Sequence, residues 1–334
     1  MLVEKVLGAY GCIGTLSPTE LAPAEQVVWY RRAVEEWGFT TFEVPFVAGA
    51  PMAPELPEFF SGTGSSLVAT LMVQWAVTGP KYPAYGLASP DETARQSAFM
   101  DTVTIVHELV GLRARGIGIR NLAVQAGQRM GEPIAHAIAF HRSLVDLSRL
   151  VARVLPGTVL VVENTDTRPS DYPVATPGSK RSALDVDALI EVAGAVNRVV
   201  GSDHHVGLMI NWGRLLVDRV DPLTTVERAL SADVPMVGVI LSGARPTPKG
   251  LRDSHNSHLD PESGFTAEDA FACAAVLRGS SHPAFIGMKC SCAKGDDEFG
   301  LTADQVLPAE AELLNQIMAE ERSGGTAAQR ARAV

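Results

Sequence analysis

The feature that most constrains this chain is a rhythm. A short run rich in Val, Ile and Leu recurs eight times along 334 residues, and a longer amphipathic stretch follows all but the second. The runs fall at 5–10, 40–46, 65–74, 121–127, 158–164, 206–211, 236–243 and 284–291. Between them the spacing predicts helices over 24–37, 90–115, 133–155, 183–199, 222–231, 266–278 and 303–321. Their ends carry ordinary start and stop signals: Pro23 and Glu25 with Gly38, Asp91 and Glu92 with Gly116, and Pro156-Gly157 after the third. Runs that are apolar at successive positions are buried on both faces, as in parallel sheets. Eight such units in a row imply one closed (β/α)8 TIM barrel over 1–322, with 323–334 a flexible tail that lacks an apolar stripe. Such a barrel takes about 250 residues, so the excess goes to longer loops. An open doubly wound sheet would show a phosphate loop after its first strand. The one glycine cluster, SGTGSS at 61–66, precedes a strand and reads as a loop.

Composition narrows the partners. A net charge of −10 argues against a nucleic-acid partner, which needs a basic face to displace counterions from phosphates. The most apolar stretch, Leu67 to Val77, is broken by Gln74 and falls short of the roughly 20 residues a bilayer requires. The N-terminus has no basic start or cleavage site, so a cytoplasmic location is expected. The four cysteines, Cys12, Cys273, Cys290 and Cys292, form no CxxC pair and suggest no disulfide framework. If Lys289 points into the barrel, strand alternation sends Cys290 outward as a buried structural thiol, and Cys292 is read the same way.

In a barrel of this kind the chemistry sits where the strands end. Here a polar residue closes almost every apolar run: Glu43, Gln74, Gln125, Glu163 with Asn164, Asn211 with Arg214, Arg245 beyond the seventh, and Lys289. The amides offer paired donors and acceptors to a hydroxyl-rich ligand. Arg214 and Lys289, with Arg245, Lys249 or Arg252, suit a carboxylate, phosphate or sulfonate. His255 and His258 lie on a loop able to fold over the mouth. His204 and His205 precede the sixth strand, on the side that stabilises the barrel, and His107, His136 and His141 fall on helices as packing or surface residues.

Several segments together resemble the xylose-isomerase-like barrel superfamily of sugar isomerases, epimerases and endonuclease-IV-type repair enzymes. VVENTD (161–166) looks like that group's fifth-strand segment, which ends in a metal-binding Glu followed by Asn. GLMINWGRL (207–215) looks like its sixth, normally Asp-x-x-His. LRDSHNSHLDP (251–261) is similar to its seventh-strand loop, and FIGMKCS (285–291) holds the place of a metal-binding Glu on the eighth. The resemblance implies a divalent metal, but only Glu163 keeps its residue type. Gln74 and Gln125 stand at histidine positions, Asn211 at the Asp, Arg214 at the His and Lys289 at the Glu. Protonated Arg and Lys cannot ligate a cation and repel it.

The expectation is an isomerase- or epimerase-like enzyme without a metal or other cofactor, acting on a small carbohydrate that can be anionic. Glu163 serves as general base, Lys289 as electrostatic partner and His255 as a further acid or base. The substrate-binding set is Glu43, Gln74, Gln125, Asn164, Asn211, Arg214, Arg245 and His258. Two alternatives stand beside it: a metal-dependent isomerase or lyase holding Mn or Zn through Glu163, His255 and His258, and a non-catalytic carbohydrate-binding barrel. The expected partner is a small molecule, with no nucleic acid and no membrane; a homodimer is compatible with this reading.

Overall fold

Strands buried on both faces can satisfy their outer backbone groups only by pairing on both sides, and eight of them do so by closing into a ring. The computed structural model describes residues 2–14, 21–79, 81–167, 182–201, 205–247, 250–292 and 301–322. The ring strands are β1 (Leu2–Leu7), β2 (Thr41–Pro45), β3 (Ser66–Thr70), β4 (Gly118–Val124), β5 (Val159–Glu163), β6 (Val206–Asn211), β7 (Met236–Leu241) and β10 (Ala284–Met288). They are all parallel, in the order β1-β10-β7-β6-β5-β4-β3-β2, and Leu7 beside Phe42 closes the circle. Between β7 and β10 the chain makes an antiparallel hairpin of β8 (Gly243–Thr247) and β9 (Gly250–Asn256), which takes no part in the barrel.

The outer layer holds α2 (Pro23–Glu35), α3 (Glu55–Thr63), α5 (Glu92–Ala114), α6 (Pro133–Val154), α7 (Val186–Val200), α9 (Pro222–Ser231), α10 (Ala267–Arg278) and α11 (Ala303–Arg322). Three short helices follow strands: α1 (Tyr10–Ile13) after β1, α4 (Met72–Thr78) after β3 and α8 (Trp212–Val217) after β6. The seven expected helices are present within three residues at either end. The expected third strand is too long, because its second half folds as α4 and carries Gln74 with it. The expected tail at 323–334 and the candidate Lys249 lie outside the described residues, as does the Arg252 side chain.

Two apolar layers make the core. One lies between barrel and helices and includes Tyr30, Phe42 and Phe60, packed edge to face or tilted. The other is a plug inside the barrel: Val6, Val68, Ala123, Val161, Met209, Ile240 and Phe285. Strand side chains alternate between faces, so the next inward positions above the plug fall on Gly8, Thr70, Gln125, Glu163, Asn211 and Ser242. Two inward steps beyond Phe285 comes Lys289. On β2, Glu43 is in register with Val68 and shares its inward face. The polar ring therefore sits directly on an apolar floor. No helix among the described residues is long and apolar enough to cross a membrane.

The cysteine expectation needs correcting. Cys12 and Cys292, 280 positions apart, pair as a disulfide across the seam where the first and last barrel strands meet. Sequence spacing cannot reveal such a pair, because only barrel closure brings the two ends together. Cys290 is a buried free thiol, as expected, facing Glu310 of α11. Glu310 is fully buried, with Cys290 as its polar neighbour. Burial pushes its pKa up to about 7 from the ordinary 4.5, offset only in part by the adjacent Cys290. Between those values the folded chain binds a proton that the unfolded chain has lost, so this group makes stability fall as pH rises. Relative to Glu310→Gln, the wild type should lose about 3 kcal/mol between pH 4.5 and 8. Urea unfolding of both proteins across that range checks it.

Candidate active site

The centre of the ring is a buried ion cluster. Lys289 leaves β10 with its backbone N–H still donating to Leu241 of β7 at 3.1 Å, which aims the side chain inward. Its Nζ donates to Glu43 Oε1 at 3.1 Å and stands 3.7 Å from Glu163 Oε1. Tyr10, in the turn after β1, donates its hydroxyl to Glu43 Oε1 at 3.3 Å and sets its ring 5.7 Å from the ammonium. Across the mouth, Gln125 donates to Glu163 Oε2 at 2.5 Å and Asn211 to Glu163 Oε1 at 2.9 Å. Glu43, Glu163 and Lys289 are each at most 1% exposed. A glycine makes room for them: a Cβ on Gly8 would come within 2.8 Å of Lys289 Cβ and 3.2 Å of Glu43 Oε2.

Removing three charges from water is costly, and such clusters concentrate where a site needs them. Burial opposes the Lys289 ammonium, but the carboxylates of Glu43 and Glu163 outweigh it and hold the amine's pKa above its usual range. Lys289 is therefore a fixed cation. Burial first, and then the neighbouring Glu163, raise the Glu43 pKa, with Lys289 opposing. Burial and Glu43 likewise push the Tyr10 phenol up, so it remains a donor. Two acceptors, Glu43 Oε2 and Asn211 Oδ1, are buried with no hydrogen-bond partner among the described residues.

Other expected members are placed elsewhere. Gln74 is turned off the mouth: its oxygen accepts from the Ala48 N–H at 2.7 Å, and its amide nitrogen donates to Tyr85 and Asp101. Asn164 splices strand ends, accepting from the Asn211 N–H at 2.7 Å and donating to the Asn211 carbonyl at 3.2 Å. Arg214 is fully buried and pairs with Asp166 at 2.9 Å, close enough for its charge to oppose protonation of Lys289. Arg245 of the hairpin pairs with Glu262 at 3.1 Å and stands 3.9 Å from Asp260.

The two loop histidines part company. His255 reaches the strand ends: its Nδ1 lies 3.0 Å from Ser242 Oγ, and its carbonyl accepts from the Ser291 N–H at 2.7 Å. Its φ of 51° is left-handed, an uncommon state for a non-glycine residue and one that neighbouring structure must hold. His258 packs against the Phe265 ring, and burial lowers its pKa. The alternative ligand set of Glu163, His255 and His258 is thus not gathered. Among the described residues no three His, Cys, Asp or Glu side chains form a metal-holding group. The donors around Glu163 are two amides and an ammonium, which do not suit a divalent ion.

Tyr10 was not among the residues singled out by sequence. Its signal was a lone aromatic just past the first strand, outside the ring of amides and charges. With Tyr30, Phe46 and Leu56 it also lines a cavity of about 290 Å³ beside the mouth.

A family profile described as "Domain of unknown function (DUF4862)" matches residues 6–299. No curated protein sequence matches the chain significantly. Among solved structures, L-ribulose 3-epimerase superposes with a TM-score of 0.62 at 11% identity, covering 98% of this chain and 99% of that one. The 3-keto-D-glucoside 4-epimerase of E. coli gives 0.54 at 15%, covering 88% and 95%. An AP endonuclease, family 2, from Brucella melitensis gives 0.57 at 17%, covering 90% and 96%. The likeness bears out the fold as a (β/α)8 TIM barrel.

Gly8→Ala should destabilise the chain by about 1–3 kcal/mol, because the new methyl meets the stem of a buried lysine that cannot retreat. Chemical denaturation measures it.

Proposed function

The chain belongs to the DUF4862 family, and from that premise and the geometry of its mouth we propose that it is a sugar isomerase- or epimerase-like enzyme working by proton transfer without a divalent metal. The observation that carries this reading is the ammonium of Lys289 held between two buried carboxylates, 3.1 Å from Glu43 and 3.7 Å from Glu163. A proton beside a carbonyl is acidic enough to remove only if the resulting enediolate is stabilised, and a fixed cation in a dry site does that strongly. Glu163 takes the proton as general base. Lys289 holds the developing negative oxygen. Glu163, protonated by that step, returns the proton to the neighbouring carbon of the enediolate, while Glu43 balances the ammonium of Lys289 and Tyr10 orients that carboxylate. The buried acceptors on Glu43 and Asn211, with the amide of Gln125, fit the hydroxyl groups of a small carbohydrate. His255 at the strand ends is placed for a further contact with substrate. The sugar epimerases among similar folds support the same reaction class, and the acidity of the chain argues against a nucleic-acid substrate.

Ketoses, keto-glycosides and sugar acids incubated in deuterium oxide provide the test, with exchange at carbon followed by NMR. Glu163→Gln and Lys289→Met should each lower exchange and turnover about a hundredfold or more. Losses of no more than about tenfold, or ligand-induced thermal stabilisation with no exchange by any sugar, would sink the assignment. Turnover should also survive chelator treatment, and stoichiometric zinc or manganese in protein purified without chelators would overturn the metal-free reading.

A further inference from the structure

Two turns that carry site residues are joined by a covalent bond. Cys12 lies in α1, two residues after Tyr10, and Cys292 lies three residues after Lys289; their Cα atoms are 4.8 Å apart. Tyr10 and Lys289 are the two groups that bond Glu43 Oε1, at 3.3 and 3.1 Å. The disulfide therefore spans the same pair of segments as these two hydrogen bonds. The segments are in backbone contact as well, since a Cβ on Gly11 would fall 2.5 Å from the Cys290 carbonyl oxygen. The parallel pairing of β1 with β10 ends at Leu7 beside Met288. Just beyond it, Gly8 still donates to the Met288 carbonyl at 2.8 Å, and Ser291 is held from the hairpin by His255 at 2.7 Å.

We propose that the Cys12–Cys292 pair is a redox-set clamp that positions Tyr10 and Lys289 against Glu43. The oxidised chain holds the site assembled, and the dithiol form lets the two turns separate. For its effect on turnover the proposal rests on the reading above; for its effect on Lys289 it does not. Closing the clamp removes two protons and two electrons from the thiols. With oxidised glutathione as acceptor, one thiolate forms a mixed disulfide and the second displaces the carrier, leaving the protein disulfide and two reduced glutathiones. Both sulfurs are buried, so exchange requires local opening.

The test compares the full chain oxidised by oxidised glutathione, the same chain reduced by dithiothreitol, and Cys12→Ser/Cys292→Ser, all below their unfolding transitions. Acetylation of Lys289 by acetic anhydride is read by mass spectrometry against the exposed Lys81. Reduction and the double variant should each raise Lys289 labelling about tenfold, because the buried amine becomes reachable by local opening. They should lower kcat about tenfold with KM moving less, since a small misplacement costs rate before binding. Thiols that stay unpaired in oxidised glutathione would overturn the proposal. So would labelling and kcat equal in all three forms, including the case where only the melting temperature falls. If no sugar is turned over by any form, the proposed function fails and the labelling alone decides the clamp.

Discussion

The alternation of side chains along strands buried on both faces is the constraint on which the mouth of this protein depends. On β4, β5 and β6 one inward position goes to the plug and the next to the ring, so Val161 is followed two residues later by Glu163, Met209 by Asn211 and Ala123 by Gln125. The floor is dry because Val6, Val68, Ile240 and Phe285 fill it. The charges above are consequently held in a medium where each counts for more than it would in water.

That setting explains how a buried lysine can stand at the centre of the ring. An ammonium between two carboxylates supplies positive charge at the centre of the ring without needing imidazole or a third carboxylate. The surrounding side chains follow the same logic: amides cap Glu163, a phenol caps Glu43, and glycine at position 8 leaves the space. The arrangement suits lysine in shape as well as charge, since Gly8 leaves room for its stem and Glu43 bonds its ammonium.

The second ion pair joins buried Arg214 to half-buried Asp166 at the edge of the same region and belongs with the support of the ring. Asn164 and Gln74 show how polar residues near a mouth can be consumed by architecture. One knits β5 to β6, and the other ties α4 to α5 and to the segment after β2. Polar identity at a strand end signals a site only when the backbone continues as strand long enough to aim the side chain inward. Gln74 fails that condition because the chain turns helical at Met72, while Gln125 and Lys289 directly follow the last residues of β4 and β10.

Local pattern alone was enough to specify the eight units, their parallel closure and the residue types that crown the strands, because burial on both faces and a two-residue period are written in contiguous sequence. Glu163, Asn211, Gln125, Glu43 and Lys289 were legible for that reason. Tertiary structure decided the rest: Tyr10 beside Glu43, the bond between Cys12 and Cys292, the parting of His255 from His258, and the retreat of Gln74 and Asn164. Each of these depends on contacts between segments distant along the chain, or on the exact residue at which a strand gives way to a helix. No periodicity records either, since only closing the barrel brings the first turn and the last strand together.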